Sequence, residues 1–173
     1  MISFFKQLPS MKSKVSYSRF VIILTSAISI MLFAGCIATV HDQHAFFILL
    51  IIYLALFISS LFYAPFYIKA DSRDITLGSI FKSRKLRLYG VESVELFQPT
   101  MGAIKIFASG GFMGYWGLFR EGDIGNYYAF YGKSSECFLV RMKNGNKYVL
   151  GCNNPGEMVE YINSQLELQN QLK

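Results

Sequence analysis

The sequence predicts an α+β protein: an N-terminal transmembrane helical hairpin, then an antiparallel β-barrel or sandwich with a C-terminal α-helix. Three observations predict it: two long uncharged apolar runs, a following segment that alternates in the strand period, and a final segment with helical spacing. Only 16% of the 173 residues are charged and 53% are hydrophobic. An average soluble domain has about 25% charged residues, so this deficit indicates a membrane-inserted segment.

The two apolar runs, 20–40 and 45–68, carry no charged residue. A helix rises about 1.5 Å per residue and the hydrocarbon core is roughly 30 Å thick, so about 20 residues suffice to cross it. The residues between the runs, 41–44, are too few for anything but a tight external turn. We expect Pro65 to end or kink the second helix, because it lacks an amide proton.

The flanking cations predict the orientation of the hairpin. Residues 1–19 contain Lys and Arg but no acidic residue, more cations follow the second run, and 41–44 has no Lys or Arg. The positive-inside rule then places both termini in the cytoplasm. In a rival interpretation, "LFAGC" is a lipoprotein signal that ends at a lipid-modified Cys36. The full span that follows it at once argues against this alternative.

Residues 69–173 are predicted to form the cytoplasmic globular domain. Apolar residues alternate in this segment, and those expected to point inward are Ile75, Leu77, Ile80, Leu86, Leu88, Val91, Val94, Leu96, Ile104 and Ile106, with Lys105 exposed between the last two. Asn144 and Gly145 predict a type I′ hairpin turn. Asn154, Pro155 and Glu157 predict the start of the terminal helix. Its apolar face would consist of Met158, Val159, Ile162 and Leu166.

The sequence resembles the bacterial pleckstrin-homology-like domain proteins. The resemblance lies in the two spans followed by short strands, and in the segments "SGGFMGYWGLF", "YYAFYG" and "KNGNKYVLGCNNPGEMVEYI". The resemblance covers about residues 66–170, and a two-helix anchor is a common accompaniment. It implies a seven-stranded, partly open barrel with a C-terminal helix, located at the bacterial inner membrane. It implies no conserved enzymatic activity. Fold alone does not imply lipid binding.

The glycine-aromatic segment 109–119 is the first candidate site. It is not a phosphate-binding P-loop, because no Lys-Ser/Thr pair and no helix N-terminus follow its last glycine. One interpretation is a hairpin whose aromatic side chains pack on the sheet. The other is a loop that contacts a partner or the bilayer interface, where Trp and Tyr are favoured. The candidate interaction residues are Gly110, Gly111, Phe112, Tyr115, Trp116 and Phe119.

The second candidate site is the basic segment "KSRKLR". In a cytoplasmic domain near the membrane, each cation gains about 1 kcal/mol from anionic lipid. The alternative is that these residues form the solvent-facing side of a strand. The candidate lipid contacts are Lys82, Arg84, Lys85 and Arg87.

Enzymatic, metal and nucleic-acid functions are disfavoured by the sequence. The globular segment contains no histidine, and His41 and His44 lie in a turn that supplies too few metal ligands. Cys137 and Cys152 are expected to face each other as reduced, buried thiols. Residues 69–173 hold nearly balanced numbers of basic and acidic residues, which argues against nucleic acid. We therefore expect no catalytic residues and no cofactor.

These observations predict a membrane-anchored binding or scaffolding module at the inner face of the membrane. Its partners would be the lipid bilayer and an unidentified membrane or cytoplasmic protein, with a homo-oligomer as one possibility. The alternative is a regulatory or accessory subunit of a membrane transport or sensory complex. Neither span carries an ionisable residue, which argues against an autonomous ion pathway.

Overall fold

The computed structural model describes residues 10–100 and 102–171, in which three α-helices accompany two β-sheets. The helices are α1 (Arg19–Ala38), α2 (Gln43–Tyr63) and α3 (Pro155–Gln171). The strands are β1 (Met11–Lys14), β2 (Tyr67–Ala70), β3 (Asp74–Gly78), β4 (Ser83–Arg87), β5 (Val91–Leu96), β6 (Ile104–Gly111), β7 (Gly114–Glu121), β8 (Gly125–Tyr131), β9 (Cys137–Met142) and β10 (Lys147–Gly151). The predicted α+β class is confirmed.

Helices α1 and α2 are long and apolar enough to cross a membrane, and most of their side chains are exposed. Asp42 caps α2 by accepting hydrogen bonds from the backbone N–H groups of His44 and Ala45. As predicted from Pro65, α2 ends early, at Tyr63. The residues that complete the predicted span 45–68 instead enter strand β2.

The first sheet has the order β1-β2-β3-β4, and every pairing in it is antiparallel. Strand β1 precedes the helical hairpin and β2 follows it, with Met11 opposite Ala70 and Lys14 opposite Tyr67. The helical hairpin thus takes the place of the loop in a β-hairpin. The folded domain includes residues N-terminal to α1, rather than beginning at residue 69.

The second sheet has the order β5-β9-β10-β8-β7-β6. Strand β10 turns back from β9 and inserts between β9 and β8, which makes its pairing with β8 parallel. This corrects the prediction of a wholly antiparallel sheet. The described chain also has ten strands, where the resemblance implied seven.

The main core lies between the two sheets and α3. Met158 and Ile162 of α3 are fully buried in it, as the helical spacing predicted. Most strand residues expected to point inward are also buried. Ile80, Leu96, Ile104 and Ile106 are exceptions, at 49%, 61%, 66% and 50% exposure. Ile80 lies in the turn after β3, Leu96 is the last residue of β5, and Ile104 and Ile106 lie in the exposed first half of the edge strand β6.

The β9–β10 hairpin forms at the predicted position but with a different turn. Gly145 has a φ of 83° and donates its N–H to the carbonyl of Met142, while Met142 donates to Asn146. Asn144 does not have a positive φ, which a type I′ turn requires. The hydrogen bonds fit a type I turn followed by a left-handed glycine.

A network of hydrogen bonds joins the helix ends to the domain. We call the participating segments, 15–18, 64–66 and 132–136, the neck. Backbone N–H groups of Val15 and Ser18 donate to the carbonyls of Phe66 and Gly132, each at 3.0 Å. Glu136 accepts hydrogen bonds from Ser16 and from Lys133. The neck holds the domain in a defined position against both helices.

Substitution of Gly132 tests the packing of the neck. A Cβ at this position would lie 2.4 Å from the backbone oxygen of Ser16, which cannot move without disturbing the neck. We expect Gly132→Ala to destabilise the protein by about 1–3 kcal/mol, as overpacking does. Thermal unfolding in detergent measures it. Gly122→Ala is the control, because its Cβ meets nothing within 4 Å. Equal melting temperatures for the two variants would contradict a tight neck.

Acid titration tests the Glu136 interactions. Burial by itself raises the pKa of Glu136, but hydrogen bonds from Lys133 and Ser16 outweigh it and hold the pKa below its ordinary value of 4.5. A carboxylate with a lowered pKa stabilises the fold above its unfolded-state pKa, and this contribution is lost as pH falls through the folded-state pKa. We expect wild type to unfold at a higher temperature than Glu136→Gln at pH 7. That difference should shrink below about pH 4.5. A difference in unfolding temperature that does not change with pH would contradict a stabilising, ionised Glu136.

Candidate functional site

A cavity of about 580 Å³ lies where the open end of the sandwich meets the last turns of α2. Leu77 and Phe130 belong to the main core and also line this cavity, so the cavity continues the space between the two sheets. The remaining lining residues are Ser59, Phe62, Tyr63, Ser79, Lys82, Arg84, Phe107, Trp116, Gly117, Leu118, Tyr128, Ala129 and Tyr148. Its walls are mostly apolar or aromatic, as in small-molecule sites.

Tyr63, the last residue of α2, organises the wall of the cavity next to the helix. Its ring stacks on Trp116, with centroids 5.7 Å apart and planes 17° apart. The Nζ of Lys82 lies 5.3 Å from the centre of the Tyr63 ring, and the guanidinium carbon of Arg84 lies 5.6 Å from it. Cations at this range are attracted to the face of an aromatic ring. The cavity therefore combines an apolar interior with two positive charges beside α2.

The four predicted basic residues do not act as one cluster. Lys82 and Arg84 line the cavity, whereas Arg87 forms an ion pair with Asp74 at 3.4 Å. Lys85, next to Arg84 in the sequence, lines a shallower pocket with Arg84 and Tyr148. The alternation of β4 explains the split, because Arg84 shares a strand face with the buried Leu86. Arg84, Lys85 and Arg87 are exposed while Leu86 is buried, as the strand interpretation predicted, and contact of these cations with lipid stays a prediction.

The glycine-aromatic segment forms the β6–β7 hairpin, whose two-residue loop is Phe112 and Met113. The loop contacts α1 rather than solvent alone. The Thr25 hydroxyl accepts from the N–H of Met113 at 2.9 Å and donates to the carbonyl of Gly111 at 3.3 Å. A Cβ on Gly111 would lie 2.6 Å from Leu24. Met113 has a φ of 53°, uncommon for a residue other than glycine, and Thr25 holds this strained residue in place.

The aromatic residues of the hairpin have different roles. Phe119 is 2% exposed and stacks on Tyr127, and Tyr115 stacks on Tyr131. These side chains belong to the core, as the packing interpretation predicted. Trp116 is half-buried, and its Nε1 donates to the carbonyl of Phe112 at 3.3 Å. Trp116 therefore faces the cavity and α2, and neither interpretation from the sequence describes it fully. The last candidate, Gly110, lies against the Lys105 side chain.

The β3–β4 turn contacts the end of α2, as the β6–β7 loop contacts α1. The N–H of Phe81 donates to the carbonyl of Leu61 at 3.2 Å, and the Phe81 ring packs on Phe62 with centroids 5.7 Å apart. Phe81 is 66% exposed, so most of its ring faces outward beside the helix. Two hairpin loops thus hold the two helices near the domain, one on α1 and one on α2.

A second group of polar residues lies on the opposite face of the six-stranded sheet. Glu121 is 5% exposed and accepts from the N–H of Thr100 at 2.8 Å. Burial raises the pKa of the nearby Tyr127, and the charge of Glu121 raises it further. Burial likewise raises the thiol pKa of Cys137 and Cys152. These hydroxyl and thiol groups are therefore protonated at neutral pH, which makes them poor nucleophiles.

The two cysteines are neighbours, as predicted. Cys137 pairs with Gly151 across β9 and β10, directly before Cys152, and both thiols are free and buried. Cys36 is also free and buried, within α1. Within the described ranges, no group of three His, Cys, Asp or Glu residues is placed to hold a metal ion.

The sequence favoured Tyr63 as a residue of the membrane interface, where tyrosine is common, but it did not predict the contact of Tyr63 with Trp116. Thr25 was missed, because it lies inside an apolar run predicted as a membrane span. The partners of these residues are distant in sequence, so no local pattern could identify the contacts.

Comparison with known proteins adds no relative: no protein-family model, no curated protein and no solved structure matches the chain. The functional argument therefore depends on the sequence and on the geometry of the neck, the cavity and the strand edges.

Removal of the Thr25 hydroxyl tests the contact between the β6–β7 loop and α1. We expect Thr25→Val to destabilise the protein by about 1–3 kcal/mol, because it leaves the Met113 N–H without its acceptor. Hydrogen exchange should show faster exchange of the Met113 amide, and thermal unfolding measures the loss of stability. Ser26→Ala is the control, since Ser26 is exposed on the same helix. An unchanged Met113 exchange rate would contradict the contact.

Proposed function

We propose that the protein is a membrane-anchored binding and scaffolding module that associates with a partner protein or a second copy of this chain through strand β6, which is an edge of its sheet in the described part of the chain. The domain would lie at the cytoplasmic face of a bacterial inner membrane. The observation that carries the proposal is an exposed, apolar edge strand on a domain that the neck fixes to two membrane-spanning helices. The similarity to pleckstrin-homology-like domains stays a prediction, supported by the two sheets and the terminal helix.

Strand β6 is an edge of the six-stranded sheet, and its first half is exposed. Ile104 is 66%, Ile106 50% and Phe107 86% exposed. An edge strand offers unpaired backbone N–H and C=O groups, which readily pair with a strand from another chain. Apolar side chains on such an edge favour association further.

The other sheet edges are protected. Helix α3 packs on β5, where the Asn163 side chain donates to the carbonyl of Val94 at 3.3 Å. Strand β1 accepts a backbone hydrogen bond at Lys14 from Asn153. Strand β4 carries exposed Arg and Lys residues, and charged side chains prevent unwanted strand pairing. The contrast with β6 supports a specific role for its edge.

The anchor supports the cytoplasmic location. Cations flank both helices on the side of the domain, and none lies in the turn between the helices. The positive-inside rule favours the cytoplasm for such a domain. The same neck also supports the alternative role as a regulatory or accessory subunit, because a movement of α1 or α2 within a transport or sensory complex would be passed to the domain.

In-cell photocrosslinking from position 104 tests the proposal. We expect an adduct with a second copy of this chain or with one defined protein, because position 104 lies on the free edge. A crosslinker at the exposed Leu168 of α3 is the control and should give no such adduct. The charged substitution Ile106→Lys should abolish the adduct without loss of folding, since Ile106 is half exposed. Equal crosslinking from positions 104 and 168, or a C-terminal reporter located outside the cytoplasm, would contradict the proposal.

A further inference from the structure

We propose that the cavity beside Tyr63 binds a single anionic phospholipid taken from the surrounding bilayer. One acyl chain would enter the apolar space between the sheets, and the phosphate would lie between Lys82 and Arg84. This inference rests on the membrane anchoring proposed above, but not on the edge of β6.

The interior of the cavity suits a hydrocarbon chain. Its walls include Leu77, Leu118, Ala129 and Phe130, and its volume of about 580 Å³ lies within the range of about 300–1,000 Å³ typical of small-molecule sites. An apolar space of this size that is open at one end favours an apolar occupant, because burial of the occupant's hydrocarbon surface is favourable.

The mouth of the cavity suits an anion. Lys82 and Arg84 both lie on the Tyr63 side of the cavity, and both are exposed. Neither is in an ion pair within residues 10–100 and 102–171. A phosphate is matched by a guanidinium and an ammonium group, both of which donate charge-assisted hydrogen bonds.

The position of the cavity selects the bilayer as the source of the ligand. Ser59 and Phe62, which line it, belong to the last turns of α2. At about 1.5 Å per residue, these side chains lie within roughly 6 Å of the helix end along its axis. The exposed ring of Phe81 lies beside Phe62 at the same level. An acyl chain can therefore enter from the bilayer alongside α2 while its phosphate stays at the level of the headgroups.

Trp116 is the sole tryptophan of the chain and lines the cavity, so its fluorescence reports on the occupant. The experiment uses the full chain in phosphatidylcholine nanodiscs with a minor fraction of phosphatidylglycerol. Bromine is placed on the acyl chains of one lipid at a time, because it quenches tryptophan on contact. We expect brominated phosphatidylglycerol to quench Trp116 far beyond its share of the bilayer, and native mass spectrometry to show one retained phosphatidylglycerol molecule.

The double variant Lys82→Gln/Arg84→Gln should lower the preference for phosphatidylglycerol by about tenfold to thirtyfold, as expected for two cations near an anionic lipid. The control Arg120→Gln/Lys143→Gln removes the same charge from positions outside the cavity and should keep the preference. Ile106→Lys should also keep it, because Ile106, unlike its neighbour Phe107, does not line the cavity.

Three results would overturn the proposal. One is quenching by each lipid in proportion to its share of the bilayer, which would indicate only general proximity to lipid. Another is a preference that survives in Lys82→Gln/Arg84→Gln. The third is protection of Trp116 from both brominated lipids, which would mean that the cavity excludes acyl chains or holds a protein segment. Release of the chain from membranes by alkaline carbonate would instead contradict the anchoring itself.

Discussion

The pairing of β1 with β2 is the constraint on which the rest of the structure depends. These two strands flank the helical hairpin, so the four residue pairs from Met11–Ala70 to Lys14–Tyr67 bring the start of α1 and the end of α2 to one sheet. The Lys12 ammonium lies 4.3 Å from the centre of the Tyr67 ring and adds to this pairing. Rotation of the domain relative to the helices would break hydrogen bonds between them, such as that from Ser18 to Gly132 and that from Met113 to Thr25. A flexible linker would allow such rotation at little cost. Here the helical hairpin is inserted between two paired strands, so the helices and the domain keep one relative orientation.

The cavity is a consequence of the same constraint. Near the helices, residues of both sheets and of the last turns of α2 line one space, and Tyr63 and Trp116 fill only part of it. The loops of the β3–β4 and β6–β7 hairpins hold the helices through Phe81 and Thr25. Neither loop closes the gap, because each contacts a different helix. An apolar space next to a helix that is long and apolar enough to span a membrane therefore follows from the way in which the domain is attached.

Much of the fold could be predicted from local patterns, whereas the site could not. The apolar runs, the β9–β10 hairpin and the terminal helix each have a signal within about 20 residues, which is the range of turn chemistry and periodicity. Strand β1, with the sequence MKSK, has no apolar alternation and exists because it pairs with β2 more than 50 residues later. Strand β2 was not predicted, because its apolar residues continue the apolar run that predicts the second span. The stacking of Tyr63 on Trp116 likewise joins segments that no local pattern connects.

The distribution of charge on the strand edges separates two surfaces of the domain. Strand β4 and the turn before it place Arg84 and Lys82 next to the helix end, and the remaining cations of β4 protect its edge. Strand β6 reaches α1 at Gly111 but begins at Ile104, seven residues earlier, where about 3.3 Å per residue carries the strand roughly 20 Å along its path. Its exposed apolar half is therefore remote from the loop that contacts α1. The two surfaces meet at Phe107, which lines the cavity and is exposed on β6, whereas Ile104 and Ile106 belong to the β6 edge alone. A lipid at the cavity and a protein at β6 would both act on a domain held in one position by the neck.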